Sequence, residues 1–266
     1  MRGIDAAIDA EGFLDVAGAR LEYRWIAPAR PGRPTLVFLH EGLGCVALWK
    51  DFPDRVAAAT GCGALVYSRA GYGRSSPVPV PRPLRYMHDE GLEVLPALLG
   101  QLDLRNVVLV GHSDGASIAL IHAGNDRAGR LSGAVVMAPH VFCEDVSVAS
   151  IARAAEAYRD GDLRAKLQRL HGDNVDCAFW GWNRAWLDPA FRAWNIEEHL
   201  PGIRVPLLVI QGTGDEYGTP AQVEAVRAQT GGPVEILMLD SCGHSPHRDQ
   251  PDTTLAAIMH FIAGRS

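Results

Sequence analysis

The chain has 266 residues, 47% of them apolar and 21% charged, with a net charge of −6, the profile of an ordinary globular protein. The bases are almost all arginine and are scattered, so neither a nucleic-acid surface nor an anionic-membrane surface is expected. No apolar run approaches the length of a membrane span, and Met1–Asp9 carries acids and lacks the apolar core of a secretory signal. Five cysteines, an odd number without CxxC spacing, argue against both a disulfide framework and a zinc site. A reduced cytoplasm is the expected compartment.

Leu14 to Val16 and Ala19 to Ile26, separated by Ala17-Gly18, predict an opening hairpin. Thr35 to Leu39 is a fully apolar strand ending in His40-Glu41-Gly42-Leu43-Gly44. A helix is expected over Asp51 to Thr60 and a buried strand over Gly63 to Tyr67, which runs into the glycine-punctuated turn Gly71-Tyr72-Gly73-Arg74-Ser75. After the proline-rich connector Pro79 to Pro83, leucines 92, 95, 99 and 102 have helical spacing, with Asp89 and Glu90 placed for the first turn. Strands are read at Gly133 to Met137, Pro206 to Ile210 and Val234 to Leu239. Thr219-Pro220-Ala221-Gln222 reads as a capping box, and Leu255, Ile258, Met259 and Ile262 mark a closing helix. Strands and helices alternate, which signals a mostly parallel sheet.

Between strand and helix stands Gly111-His112-Ser113-Asp114-Gly115, preceded by Val107 to Val110 and followed by the helix-forming run Ala116 to Ala123. A strand that turns straight into a helix brings neighbouring backbone against the positions two before and two after the corner. A Cβ at either would clash, so glycines flank the serine. A serine hydroxyl is a weak nucleophile and needs a base, oriented by a third group. Asp215 and His244 lie on loops beyond the carboxyl ends of later strands, the same sheet edge as Ser113. The chain order is serine, acid, histidine.

That order, the pentad, the histidine-led loop after the third strand and the 71–75 turn closely resemble the α/β-hydrolase superfamily over nearly the whole chain. The resemblance implies an α/β fold: an eight-stranded, mostly parallel sheet flanked by helices, the second strand antiparallel, with a helical cap inserted after the sixth strand. Residues 1–139 and 202–266 would form the core and residues 140–201 the cap. That segment loses its strand signals and holds Trp180, Trp182, Trp186 and Trp194; one or two are expected to line a pocket and the others to be packing residues.

Carried over by position, Ser113 is the nucleophile, His244 the general base and then acid, and Asp215 the carboxylate that orients it. Glu216 is expected to point elsewhere, Asp240 lies too close to the histidine to orient it, and His247 matches the family's glycine-histidine pair less well than Gly243-His244. His88, His112, His122, His171, His199 and His260 are read as structural or exposed, and His140 stands apart because it starts the cap at the end of a strand. The oxyanion hole would use the amides of Asp114 and of Gly42, the latter by aligning His40 and Trp49, with Leu43 as the alternative. Leu43, His140, Trp180 and Trp182 are the expected substrate contacts. Glu41 departs from the family, which commonly has glycine there; it is read as a solvated residue or a partner for Arg69 or Arg74, or else as a carboxylate facing the cleft. The implied activity is hydrolysis of a small to medium hydrophobic or aryl carboxylic ester through an acyl-enzyme, with lactone, thioester or carbon–carbon bond hydrolysis, or a small-molecule receptor role, as alternatives. No cofactor and no metal are called for, and the expected partner is a small-molecule substrate.

Overall fold

Apolar strand-length runs alternate with helical ones, and the computed structural model, which describes residues 9–264, stacks them in three layers. The acidic N-terminal stretch read above lies, but for Asp9, outside the described residues. The strands are β1 Glu11–Val16, β2 Ala19–Ile26, β3 Thr35–Leu39, β4 Gly63–Tyr67, β5 Val107–His112, β6 Leu131–Met137, β7 Leu207–Gly212 and β8 Val234–Leu239. They form one sheet in the order β1-β2-β4-β3-β5-β6-β7-β8. β2 runs antiparallel to both β1 and β4, and every pair from β4 to β8 is parallel. The helices are α1 Phe52–Thr60, α2 Tyr86–Asp89, α3 Leu95–Gln101, α4 Asp114–Ala123, α5 Asp145–Asp160, α6 Leu163–His171, α7 Val175–Leu187, α8 Pro220–Gln229, α9 Pro246–Asp249 and α10 Pro251–Ala263.

Strand alternation sorts the core. Leu36, Phe38, Val108 and Val110 face Val56 of α1 and Phe261 of α10, whereas Val37, Leu39 and Leu109 face α3, α4 and α8. β5 is buried along its whole length, as a central parallel strand must be.

Several local expectations shift. The opening strand starts at Glu11 rather than Leu14. The helix before β5 starts at Tyr86 and passes through a π-helical turn, Glu90–Val94, into α3. Asp89 closes the first piece and accepts a bond from Arg85 at 2.6 Å, while Glu90 is buried rather than set at a solvated helix start. Thr219 does cap α8, accepting from the Ala221 amide at 3.2 Å. Gln222 does not complete the box: its side chain bonds the Val141 amide at 2.6 Å, the Phe142 carbonyl at 3.1 Å and Glu144 at 2.8 Å. Met259 is exposed, because Ile258, Phe261 and Ile262 suffice to seat α10.

Between β6 and β7 the chain is helical. Its two ends pair across Phe142 and Asn195, α5 to α7 lie between them, and the 3₁₀ stretch Glu197–Gly202 returns against the end of α4, where a Cβ on Gly124 would stand 2.2 Å from the His199 carbonyl oxygen. His171 of α6 fastens this segment to the core. Its Nδ1 accepts from the Gly73 amide at 3.0 Å and its Nε2 donates to the Leu43 carbonyl at 3.0 Å.

Candidate active site

The corner after β5 is strained. Ser113 adopts φ +53°, ψ −118°, a conformation that costs a non-glycine residue about 1–3 kcal/mol and survives only where packing over-determines it. The flanking glycines show why. A Cβ on Gly111 would lie 2.4 Å from the Gly115 carbonyl oxygen, and one on Gly115 would lie 2.0 Å from the Leu39 carbonyl oxygen. The elbow is thus clamped between β3 and its own helix, and the Ser113 hydroxyl is held above the carboxyl edge of the sheet.

The loops after β7 and β8 converge on it. The Gly214 amide donates to the Cys242 carbonyl at 2.9 Å, and a Cβ on Gly212 would stand 2.1 Å from that oxygen, so the two loops meet with no room for a side chain. This closure sets His244 Nε2 2.9 Å from Ser113 Oγ and His244 Nδ1 2.8 Å from Asp215 Oδ1. Asp215 Oδ1 also accepts from the amides of Tyr217 at 2.8 Å and Gly218 at 3.2 Å. Burial would raise the Asp215 carboxyl, but the His244 bond and charge and these amides outweigh it and hold it below the usual range. An ionised Asp215 accepts the Nδ1 proton, leaving the Nε2 lone pair toward the serine. The set can remove the hydroxyl proton and return it to a leaving group.

The loop after β3 supplies the second feature. The Glu41 carbonyl oxygen is held by three donors: His40 Nδ1 at 2.7 Å, Arg69 Nη2 at 3.1 Å and the Gly44 amide at 3.1 Å. In a planar trans peptide the N–H points opposite the C=O, so the Gly42 amide is turned away from these donors; Gly42 itself lines the cavity. The Arg69 amide donates to His40 Nε2 at 3.0 Å, so both ring nitrogens of His40 are used by the neutral form. Burial first, then the Arg69 charge, push its pKa well down. Asp114 heads α4 with its side chain buried, accepting from Tyr86 Oη at 2.5 Å. The same phenol oxygen accepts from Trp186 Nε1 at 3.0 Å, so α7 is tied to the elbow through Tyr86.

A cavity of about 370 Å³ opens above Ser113, walled by Gly42, Leu43, His140, Trp182, Trp186 and Tyr217 and by the apolar side of α6. Trp182 lies against Gly42, so that a Cβ there would come 2.2 Å from the indole Nε1. His140 packs edge-on to Trp186, and burial first, with the His244 charge, lowers its pKa to about 3, leaving it neutral. Trp180 is not a cavity residue. It sits half-buried on the other side of α7, between the guanidinium groups of Arg159 and Arg184; Phe179 and Trp182, one and two residues away on the helix, face inward instead. Glu41 does not pair with Arg74, which bonds Glu22 at 2.7 Å. It lines the cavity and faces His112. His112 is buried at the site, not exposed. Glu216 is displaced from the orienting role, accepting instead from the His244 amide at 3.2 Å. Tyr217, whose ring lies 4.7 Å from that of His244, is a wall residue that the sequence reading passed over, although its place two residues after the acid was visible.

Two further histidine groups are not part of this arrangement. His247 is buried against Trp49 and Phe52. His88, Glu198 and His199 bring ligating atoms within 4.8 Å of one another, but Asn125 Nδ2 donates to His199 Nδ1 at 3.0 Å, which leaves the His199 proton on the nitrogen nearest Glu198. No helix among the described residues is long and apolar enough to cross a membrane.

An eight-stranded sheet of this topology with a serine elbow defines the α/β-hydrolase class, and residues 36–258 match the alpha/beta hydrolase family. The chain belongs to that family. It is 24% identical over 289 aligned positions to a proline iminopeptidase of Lactobacillus helveticus (strain DPC 4571), covering 95% of this chain and 97% of that one. It is 30% identical to a 2-succinyl-6-hydroxy-2,4-cyclohexadiene-1-carboxylate synthase of Salmonella paratyphi C (strain RKS4594) over 53% of this chain and 51% of that one. Among solved structures it resembles an esterase of Exiguobacterium antarcticum (TM-score 0.74, 18% identity, 94% and 98% covered) and an enol-lactonase of Burkholderia xenovorans LB400 (TM-score 0.71, 20% identity, 95% and 100% covered).

Proposed function

We propose that the protein is a serine hydrolase that cleaves a small to medium hydrophobic or aryl carboxylic ester through an acyl-enzyme. The observation that carries this reading is the relay of Ser113 Oγ, His244 Nε2, His244 Nδ1 and Asp215 Oδ1, with contacts of 2.9 and 2.8 Å, at the floor of a largely apolar cavity. Ser113 attacks the carbonyl carbon while His244 takes the hydroxyl proton, and the oxyanion is received by the amides of Asp114 and Gly42. His244 then passes the proton to the departing alkoxide or aryloxide. Water, deprotonated by the same imidazole, releases the acid and frees Ser113. No cofactor enters this scheme, and Leu43, His140, Trp182 and Trp186 would enclose the acyl or alcohol part.

A second reading, cleavage of the amide bond that follows an N-terminal residue, is favoured by the iminopeptidase relative matched along 95% of the chain and by the carboxylates of Glu41 and Glu216 on the cavity wall. A fluorophosphonate probe should label the parent and not Ser113→Ala, and Ser113→Ala should lose about 10⁴- to 10⁶-fold in kcat. p-Nitrophenyl esters of graded chain length run beside proline p-nitroanilide decide the bond: faster turnover of the anilide would replace the ester reading.

A further inference from the structure

His112 immediately precedes the nucleophile and is 1% exposed, yet the scheme above gives it no part. Its Nε2 lies 2.7 Å from the backbone carbonyl oxygen of His244, and its Nδ1 lies 3.5 Å from Glu41 Oε2. A carbonyl oxygen only accepts, so Nε2 carries a proton. A neutral imidazole has no second N–H, and Nδ1 would then present a lone pair to a carboxylate, two acceptors in contact at a buried place. One more proton is needed, on either the imidazole or the carboxyl.

The surroundings place it on His112. Glu41 keeps 16% side-chain exposure at the cavity, where its charge is solvated in part. Burial alone would raise the Glu41 carboxyl, but the bond and charge of His112 outweigh it and hold the group well below the carboxylate range. Burial likewise opposes charge on His112, and Glu41, with Asp215 adding to it, still raises that imidazole above its ordinary value. The other rings packed nearby are His247, with centroids 4.8 Å apart, and His244, at 5.2 Å. His247 and His140 are held by burial to about 3 and stay neutral, so neither repels a cation here.

The three parts come from three different segments. His112 belongs to the elbow, Glu41 to the loop that offers the Gly42 amide, and the His244 carbonyl to the loop of the general base. We propose that Glu41 and His112 form a carboxylate–imidazolium clasp that locks the oxyanion loop and the His244 loop to the elbow, so that His112 is a positioning residue whose Nδ1 proton hydrolysis requires. The proposal rests on the serine-hydrolase reading. Below the raised midpoint of His112 the clasp is closed. As pH rises through that midpoint the proton leaves Nδ1 and the lone pair meets the carboxylate, so the Gly42 segment loses its anchor to the elbow while Nε2 still donates to the His244 carbonyl.

The test uses histidine labelled with ¹⁵N in the full chain carrying Ser113→Ala, where no turnover occurs. Both ring nitrogens of His112 should be protonated at neutral pH, and Glu41→Gln should lower its proton affinity about tenfold or more. In chains with Ser113 intact, Glu41→Gln should move the alkaline limb of kcat for p-nitrophenyl butyrate down in pH by the same factor, with KM little changed, and Glu41→Asp should stay closer to the parent. A His112 with a single ring proton at neutral pH, or an alkaline limb unmoved in folded Glu41→Gln, overturns the clasp. Failure of Ser113 to react with a fluorophosphonate would instead overturn the hydrolase reading, and the ¹⁵N measurement does not depend on it.

Discussion

Replacing Asp215 separates two jobs that a carboxylate does for a catalytic imidazole, fixing its tautomer and opposing its charge. Oδ1 of Asp215 faces three donors, His244 Nδ1 and the amides of Tyr217 and Gly218, whereas Oδ2 is buried without a partner. In Asp215→Asn the amide nitrogen is therefore driven to the Oδ2 position, and the remaining oxygen still accepts the Nδ1 proton. The tautomer is kept and only the charge opposite the developing imidazolium is lost. A charge-assisted bond is worth at most about 3 kcal/mol, so the loss in kcat is about 10²-fold. Asp215→Ala removes the acceptor as well, frees the ring to take the other tautomer and should cost about 10⁴-fold. Steady-state kinetics on a p-nitrophenyl ester, with the rate of Ser113 phosphonylation as a second reading, would measure both. An Asn variant as inactive as the Ala variant would refute the argument, since it would mean that the three donors do not fix the amide. The same carboxyl, held below its ordinary 3.8, contributes stability that is complete above that value and is lost as pH falls through its lower folded-state midpoint. The gap in urea midpoint between parent and Asp215→Asn should accordingly narrow on acidification below 3.8.

Two glycines give opposite expectations. Gly115→Ala places a carbon 2.0 Å from the Leu39 carbonyl oxygen, and moving β3 away should cost at least about 3 kcal/mol by thermal or urea unfolding. Gly100→Ala, in α3 with its nearest outside atom 4.0 Å away, should stabilise by about 0.5–1 kcal/mol. On α7, Trp182→Ala should broaden acyl-chain selectivity, because the indole covers Gly42 at the cavity wall. Trp180→Ala should leave kcat/KM across the same panel unchanged.

Much of this arrangement is legible along the chain because its causes are local. The strand Thr35 to Leu39 and the strand Gly63 to Tyr67 occur where continuous apolar runs demand burial on both faces. The glycines at 111 and 115 announce a corner whose neighbours leave no space. Asp215 and His244 are legible because each follows a strand whose carboxyl end reaches the same edge as Ser113. The misreadings have a common character. Gln222 has the right spacing for a capping box, but three partners from the start of the insertion claim its amide. Trp180 and Trp182 look alike in sequence, and only the rotation of α7 against the core puts one over Gly42 and the other between two arginines on the outside.

By itself the sequence determined the order of elements, the glycine-flanked corner and the placing of Ser113, Asp215 and His244 at one sheet edge, since periodicity, steric exclusion at glycine and position at strand ends act over a few residues. Tertiary structure alone decided which residues wall the cavity, how the Glu41 carbonyl turns the Gly42 amide, and where the Glu41 carboxylate goes. Those depend on contacts between segments far apart in the chain, such as Glu41 with His112 and the His112 ring with the His244 carbonyl. No local pattern encodes the approach of two loops; the packing of the whole sheet edge sets it.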